Sequence, residues 1–239
     1  MNWFCILMLL GSYWAVSLNP RDTQGQRLLT IPIDIEIPVA PTPVKANGKM
    51  HVLYELHLTN FRGSNLEITR VEVLNDASNG LVLASYTDAE LTGRLGRPGA
   101  PSNLPDKRVI AGGMRAVIYL EIVFDRPSDI PSALRHQLWF KSTDSATPDD
   151  FVSGGRVLIR STVPPVIHSP LRGEGWVALS GMSNTSGHRR TIVVVNGKAR
   201  IAQRFATDWV RIGPDGLAFG ADHELDESLR QLWRRGPAQ

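Results

Sequence analysis

Two segments of the chain alternate between apolar and polar residues with the two-residue period of a β-strand. The first, MHVLYELHLTNF (residues 50–61), places Val52, Tyr54, Leu56 and Leu58 on one face and Glu55, His57 and Thr59 on the other. The second, MRAVIYLEIVFD (residues 114–125), places Ala116, Ile118, Leu120, Ile122 and Phe124 on one face. Successive side chains of a strand point to opposite sides of a sheet, so each pattern predicts a half-buried strand.

Shorter strand-like segments surround these two. They are LLTIPIDIEIPVAP (28–41), NLEITRVEVLND (65–76), LVLASYT (81–87), ALRHQLWFKS (133–142) and GGRVLIRSTV (154–163). The turn-like Arg62-Gly63-Ser64 predicts that residues 65–76 form a hairpin with the strand before them. Several short strands separated by turns predict an all-β fold, an antiparallel β-sandwich over residues 28–163.

The composition changes after the sandwich. Three prolines in PPVIHSP (residues 164–170) disfavour a central strand and predict a linker. Residues 171–220 are β-rich, and their Asn196-Gly197 pair is a strong signal for a two-residue hairpin turn. Residues 221–239 form an atypical tail, whose spacing of leucines predicts a short amphipathic helix.

The N-terminal segment, residues 1–18, predicts export. Its apolar run from Trp3 to Val16 is shorter than the roughly 20 residues of a membrane span. Ala15-Val16-Ser17 supplies small residues at the spacing of a signal-peptide cleavage site. We therefore expect a signal peptide and a secreted or periplasmic protein, with membrane contact only through an uncleaved leader. The one cysteine, Cys5, lies in this segment, so no disulfide is expected in the mature chain.

Composition and motifs narrow the function classes. The 239 residues are 42% hydrophobic and 21% charged, typical of a globular protein. The net charge of +3 comes from scattered arginines rather than a basic face, so no nucleic-acid partner is expected. The sequence has no glycine-rich phosphate loop, nucleophile elbow or HExxH motif.

Two residues after the linker could carry chemistry. His188 follows Ser186-Gly187, and taken alone it is typical of an exposed loop histidine. Asp208 lies among apolar residues in ARIAQRFATDWVRI (199–212), which suggests a strand in which a buried carboxylate would need a cationic or hydrogen-bonding partner. Taken alone, it could form an ion pair with Arg200, Arg204 or Arg211.

Together with their surroundings, these residues resemble the start of the catalytic domain of lysostaphin-type secreted zinc endopeptidases, which cut peptidoglycan cross-bridges. The resemblance is carried by Gln203-Arg204-Phe205-Ala206-Thr207-Asp208, which matches the family's QR-aromatic-A-x-D run, and by His188 after SNTSG. It implies that His188 and Asp208 are zinc ligands and that TIVVVNGKARI (191–201) is a hairpin inserted between them. The sandwich resembles the accessory domain of multi-domain members, so the likeness extends from about Leu29 to Gly220.

The sequence departs from the family in one decisive respect. The family takes its third zinc ligand from a His-x-His motif and uses the first histidine of that motif in catalysis. No His-x-His occurs here, since the only histidine after Asp208 is His223, followed by Glu224 and Leu225. Residues 171–220 therefore read as an incomplete peptidase domain with no catalytic residue and an incomplete zinc site. An alternative to the amphipathic helix is that the tail is out-of-frame sequence. With permitted codons, a shift of one nucleotide from Glu224 onward gives a Tyr-Gly-rich segment that resembles the family.

Three functions follow from these observations. The first is an exported, peptidase-like protein that is truncated before its His-x-His motif and does not hydrolyse peptide bonds, with peptidoglycan or cell-wall peptide as its partner. The second is a non-enzymatic β-sandwich binding module of the cell envelope. The third is a structural envelope protein in which Asp208 is only an ion-pair partner.

Overall fold

Antiparallel strands make up about half of the described residues. The computed structural model describes residues 33–78, 80–101, 103–142, 150–168, 171–179, 183–213 and 216. The predicted signal peptide and the whole of the predicted tail, residues 221–239, lie outside these residues. The strands are β1 (Ile33–Glu36), β2 (Val44–Ala46), β3 (Lys49–Asn60), β4 (Leu66–Asn75), β5 (Leu81–Thr87), β6 (Leu95–Gly96), β7 (Val109–Ile110), β8 (Arg115–Phe124), β9 (Ala133–Ser142), β10 (Asp150–Leu158), β11 (Trp176–Leu179), β12 (Val193–Val195), β13 (Lys198–Arg200) and β14 (Asp208–Arg211). The helical elements are α1 (Asp88–Arg94), a 3-10 turn (Pro127–Asp129) and α2 (Gly187–Arg190).

Two five-stranded sheets contain β1 to β10. The first has the order β1-β3-β8-β6, with β2 also paired to β3. The second has the order β10-β9-β4-β5, with β7 also paired to β4. The pairings in both sheets are antiparallel, so the predicted all-β fold class is confirmed.

One hydrophobic core joins the two sheets. The predicted apolar faces of β3 and β8 supply its first half, and alternating residues of β4 and β9 supply the second. The fully buried members include Val52, Leu56, Leu58, Ile68, Val71, Ile118, Leu120, Leu134 and Leu138. Each fully buried aliphatic side chain contributes about 1.5–3 kcal/mol relative to an exposed one, so this layer is the main source of stability.

A polar pair crosses the core. The hydroxyl of Tyr54 on β3 donates to Nε2 of His136 on β9 at 2.8 Å, and His136 Nδ1 donates to the carbonyl of Gly155 at 2.9 Å. Gly155 lies at an irregularity of β10 with φ +59, and an added Cβ would come within 2.8 Å of Ile35. Burial lowers the pKa of His136 to about 4 and raises that of Tyr54, which keeps both side chains neutral.

The predicted hairpin of β3 and β4 is wrong. Both strands exist close to their expected ranges, but β3 pairs within the first sheet and β4 within the second. Asn60 holds the crossing, since its Nδ2 donates to the carbonyls of Ser64 and Ile110 at 2.9 Å and its Oδ1 accepts from the amide of Arg62. A turn signal in sequence does not distinguish a hairpin from a crossing between sheets.

The Asn196-Gly197 turn is confirmed. It joins β12 and β13, which pair with each other, and both turn residues have positive φ, 49 and 74. Both values suit a type I′ turn, which matches the twist of the strands on either side. The other short strands of this region, β11 and β14, form a second two-stranded sheet.

The outer face of the first sheet is covered by residues 184–204. Val117 and Tyr119 of β8 pack with Ile201 and Ile192 in a second, small hydrophobic cluster. Glu55 and His57 lie on the same face of β3 and are only 1% and 2% exposed. The prediction of a half-buried β3 is therefore wrong, because the C-terminal segment covers its polar face.

The end of the sandwich at residue 163 and the start of the next region at residue 171 remain predictions. Residues 164–168 of the expected linker form no strand, and Val166 and Ile167 are more than 80% exposed. Among the residues the structure describes, no helix is both long and apolar enough to cross a lipid bilayer.

Candidate functional site

His188 and Asp208 lie next to each other despite their separation in sequence. His188 is in the four-residue helix α2, and Asp208 is the first residue of β14, where it pairs with Leu179 of β11. His188 Nε2 is 3.3 Å from Asp208 Oδ2. The β12–β13 hairpin, Val193–Arg200, lies in the chain between them, within the range 191–201 that the resemblance implies.

The imidazole of His188 is oriented by a backbone carbonyl. Its Nδ1 lies 3.2 Å from the carbonyl oxygen of Ala206. A carbonyl can only accept, so Nδ1 carries the proton, and in a neutral ring Nε2 then presents a lone pair. Because the carboxylate of Asp208 also only accepts, the Nε2–Oδ2 contact needs a proton or a cation between the two atoms.

The environment of Asp208 differs from the expected one. Its side chain is 57% exposed, whereas that of His188 is 18% exposed. The expected burial of the carboxylate is therefore wrong. Water hydrates the exposed part of the carboxylate and supplies some of its hydrogen bonds. The ion pair between Asp208 and Arg204 does not form either, because Arg204 binds a different carboxylate.

The pair has the geometry of two ligands on one metal ion. Zinc lies about 2.0–2.1 Å from an imidazole nitrogen and about 2.0–2.2 Å from a carboxylate oxygen, and tetrahedral ligands of that length are roughly 3.3 Å apart. A metal-bound histidine usually donates its other N–H to a carbonyl or carboxylate, as His188 does to Ala206. Within the described ranges, no group of three His, Cys, Asp or Glu side chains is suited to a metal ion. The residues fit half of a zinc site.

A buried charge cluster adjoins this pair, and sequence reasoning missed it. Glu55 on β3 is 1% exposed and accepts from Arg204 through both carboxylate oxygens, with Nε–Oε1 at 3.0 Å. Arg189, which is 2% exposed, places Nη1 3.3 Å from Glu55 Oε1. Two cations from the C-terminal segment thus share one carboxylate of the sandwich.

Arg189 is also fixed by hydrogen bonds to the sandwich and within its own segment. Its Nη2 donates to the carbonyls of Leu120 at 2.9 Å and Tyr54 at 3.3 Å, and its Nε donates to Asn184 at 2.9 Å. Burial lowers the pKa of Arg189, and the Glu55 carboxylate opposes that effect. The helix α2 is therefore held on the sheet by the residue that follows His188.

Tyr119 packs against the same helix. The guanidinium of Arg190 lies 5.0 Å from the centre of the Tyr119 ring, a cation–π distance. The hydroxyl of Tyr119 donates to the Arg190 carbonyl at 3.3 Å. Burial raises the pKa of Tyr119 to about 12, so the phenol stays protonated. Asn184 also donates to the Tyr119 carbonyl at 3.0 Å.

A cavity of about 300 Å³ opens beside the charge cluster. It is lined by Pro38, Val39, His57, Val195, Ala199, Arg200, Ile201, Ala202 and Arg204. Nδ1 of the buried His57 has no hydrogen-bond partner within the described part of the chain. Burial, reinforced by the positive charge of Arg115, lowers the pKa of His57, so this ring is neutral at pH 7.

The sequence held one signal for the cluster. Glu55 and His57 interrupt an otherwise apolar strand at alternate positions, and Arg189 and Arg190 follow His188 directly. Alternation alone assigns such polar positions to solvent. Only the docking of residues 184–204 reveals that Glu55 is a buried partner.

Comparisons with known proteins give no family. No protein-family model and no curated protein matches the chain. Among solved structures, Northeast Structural Genomics Consortium target SoR45 aligns with 59% of this chain and 96% of its own, at 9% identity and a TM-score of 0.33. A candidate ApaA protein from Bordetella pertussis aligns with 54% of this chain and 97% of its own, at 13% identity and the same TM-score. Similarity at this level supports no conclusion about the function of the chain.

Proposed function

We propose that this chain is an exported protein that binds a divalent cation, zinc by preference, through His188 and Asp208. It would represent the opening part of a lysostaphin-like peptidase site. The observation that carries the proposal is the approach of Nε2 and Oδ2 to 3.3 Å while Nδ1 is turned to the Ala206 carbonyl. Two facing acceptors attract a cation, and imidazole and carboxylate are both good zinc ligands.

The chemistry of a complete site of this kind is metal-assisted hydrolysis. A bound zinc ion lowers the pKa of a water ligand and polarises a peptide carbonyl. In this chain Ala206 orients His188, and β14 presents Asp208 at the surface, where a cation has access. Because the sequence contains no His-x-His, we expect binding without peptide hydrolysis by the 239-residue protein.

A zinc titration tests the proposal. Isothermal titration at pH 8, above the ordinary histidine pKa of about 6.5, removes most competition from protons. We expect a single site in the wild type that is lost in His188→Ala and Asp208→Ala. Asp125→Ala is the matched control, since Asp125 is also exposed but pairs with Lys49 at 3.2 Å. Equal affinity in the wild type and Asp208→Ala would reject the metal site and leave an imidazolium–carboxylate pair.

The proposed partner is cell-wall peptide or peptidoglycan. The full chain can be incubated with insoluble peptidoglycan in the presence of zinc or of a chelator. Retention that depends on zinc and on Asp208 supports the peptidase-like assignment, and rapid turnover of an oligoglycine substrate would contradict the expected lack of hydrolysis. Retention that survives both chelation and Asp208→Ala favours the alternative, a binding module that acts through its sandwich.

A further inference from the structure

The carboxylate of Glu55 contacts two arginines, each of which is close in sequence to one of the proposed metal ligands. Arg189 directly follows His188, and Arg204 precedes Asp208 by four residues and Ala206 by two. Both guanidinium groups reach the same buried carboxylate on β3. A single side chain of the sandwich therefore contacts both of the segments that supply the His188–Asp208 pair.

These two segments have little regular structure of their own. The helix α2 has four residues, residues 201–207 contain no strand, and β14 pairs with the four-residue β11. Short elements of this kind do not hold two side chains in register without tertiary contacts. Arg189 and Arg204 supply such contacts, because they are the cationic side chains that tie each segment to Glu55.

The orientation of His188 depends on both segments at once. Its ring belongs to α2, but the carbonyl that accepts the hydrogen bond from its Nδ1–H belongs to Ala206, two residues after Arg204. Glu55, Arg189 and Arg204 are together called the Glu55 clamp. A shift of either segment would lengthen that hydrogen bond and rotate Nε2 away from Asp208. The charge of Glu55 opposes such a shift, since both guanidinium groups would lose their shared counter-charge.

We infer that Glu55 is a positioning residue for the His188–Asp208 pair: from the sheet beneath the two segments it sets the geometry with which these two side chains meet a cation. The inference rests on the proposed metal site. It assigns to the sandwich a role in metal affinity that the ligands alone do not reveal.

The test compares zinc affinity and histidine geometry in Glu55→Gln, which keeps the size of the side chain and removes its charge. We expect zinc affinity to fall by about 10–100-fold, the range typical of changes to groups that orient metal ligands. In the zinc-free protein, the ring nitrogen signals of His188, followed by NMR, should also lose the signature of a hydrogen-bonded Nδ1–H. His188→Gln identifies these signals among those of the six histidines.

A second variant covers the case in which Glu55→Gln does not fold. Arg204 is less buried than Arg189, so Arg204→Gln removes one arm of the clamp and leaves the Glu55–Arg189 pair in place. It should lower zinc affinity and alter the His188 signals in the same direction, and Arg204→Lys should recover part of both. Ile68→Val, in the core on the second sheet, is the control that reduces stability and leaves both readouts unchanged.

The outcomes separate the two proposals. Asp208→Ala that binds zinc as the wild type does would overturn the metal site and, with it, the role of Glu55 in metal affinity. A loss of binding in Asp208→Ala, together with wild-type affinity and His188 signals in folded Glu55→Gln and Arg204→Gln, would overturn only the positioning role. Reduced affinity with changed His188 signals in the clamp variants, but not in Ile68→Val, would support it.

Discussion

The two faces of β3 are both buried, but by opposite means. Its inner face carries Val52, Leu56 and Leu58 and packs against the second sheet through apolar contacts. Its outer face carries Glu55 and His57 and is covered by a segment that lies about 130 residues further along the chain. Apolar side chains of several kinds can cover the inner face. The buried carboxylate of Glu55 on the outer face instead needs a cationic partner.

The two faces differ in how many side chains share the stabilising contacts. Many aliphatic neighbours share the burial of the inner face, so each side chain contributes a moderate part. One carboxylate and two arginines dominate the polar contacts on the outer face. A substitution of Glu55 should therefore disturb the packing of residues 184–204 on the sheet more than a substitution of one aliphatic side chain disturbs the core of the sandwich.

Removal of the Glu55 charge should have the largest effect. Glu55→Leu leaves Arg189 buried without its counter-charge, and breaking a buried pair in this way costs about 3–5 kcal/mol. Urea unfolding followed by tryptophan fluorescence measures the change in the free energy of unfolding. The double variant Glu55→Leu with Arg189→Met should recover most of the loss, because it removes the unpaired charge. A loss below 1 kcal/mol in the single variant would show that the outer face is not held by this pair.

Acid should weaken the inner face through His136. Its folded-state pKa of about 4 lies below the ordinary value of 6.5, so the unfolded state binds the proton more readily. Stability is therefore full above pH 6.5 and is lost as the pH falls toward 4, by about 3 kcal/mol from this residue. The lowered pKa of His57 acts in the same direction. Urea unfolding at pH 7 and pH 4.5 measures the loss, and His136→Gln should flatten this part of the profile; an unchanged profile would contradict the assignment to His136.

Periodicity predicted the inner face well. The residues at alternate positions of β3 and β8 are the ones in the core, since a two-residue period requires only local geometry and a hydrophobic layer. The Asn196-Gly197 turn was equally predictable, because both of its residues tolerate positive φ. These features depend on a few neighbouring residues, which is the information that a sequence shows directly.

The outer face could not be predicted in this way. The assignment of Glu55 and His57 to a solvent-facing side failed because the chain that covers them lies far away in sequence. The pairing of β3 and β4 failed for a related reason, since both a hairpin and a crossing between sheets begin with a tight turn. The closeness of His188 and Asp208 followed only from a resemblance, and the exposure of Asp208 did not follow from it.

A conservative change on the inner face should have a smaller effect than either of the first two. Ile118 is fully buried on the inner face of β8, and Ile118→Val removes one methylene group from it. Such substitutions cost about 0.5–1.5 kcal/mol. Urea unfolding provides the value, and the zinc affinity of the variant should equal that of the wild type. A change in zinc affinity here would show that the core, rather than the Glu55 clamp, sets the geometry of His188 and Asp208.

An exposed ion pair on the same sheet should have the smallest effect. Lys49 and Asp125 approach to 3.2 Å, but their side chains are 58% and 79% exposed, so water screens the attraction. Lys49→Ala should change the free energy of unfolding by less than about 0.5 kcal/mol, and high salt should remove even that difference. Urea unfolding at low and high ionic strength checks both statements, with Glu55→Leu measured in parallel. Because Glu55 and Arg189 are almost fully buried, the loss in Glu55→Leu should persist at high salt. Similar losses and similar salt dependence in the two variants would mean that the outer face is hydrated, and that its arginines act as surface charges rather than as a buried clamp.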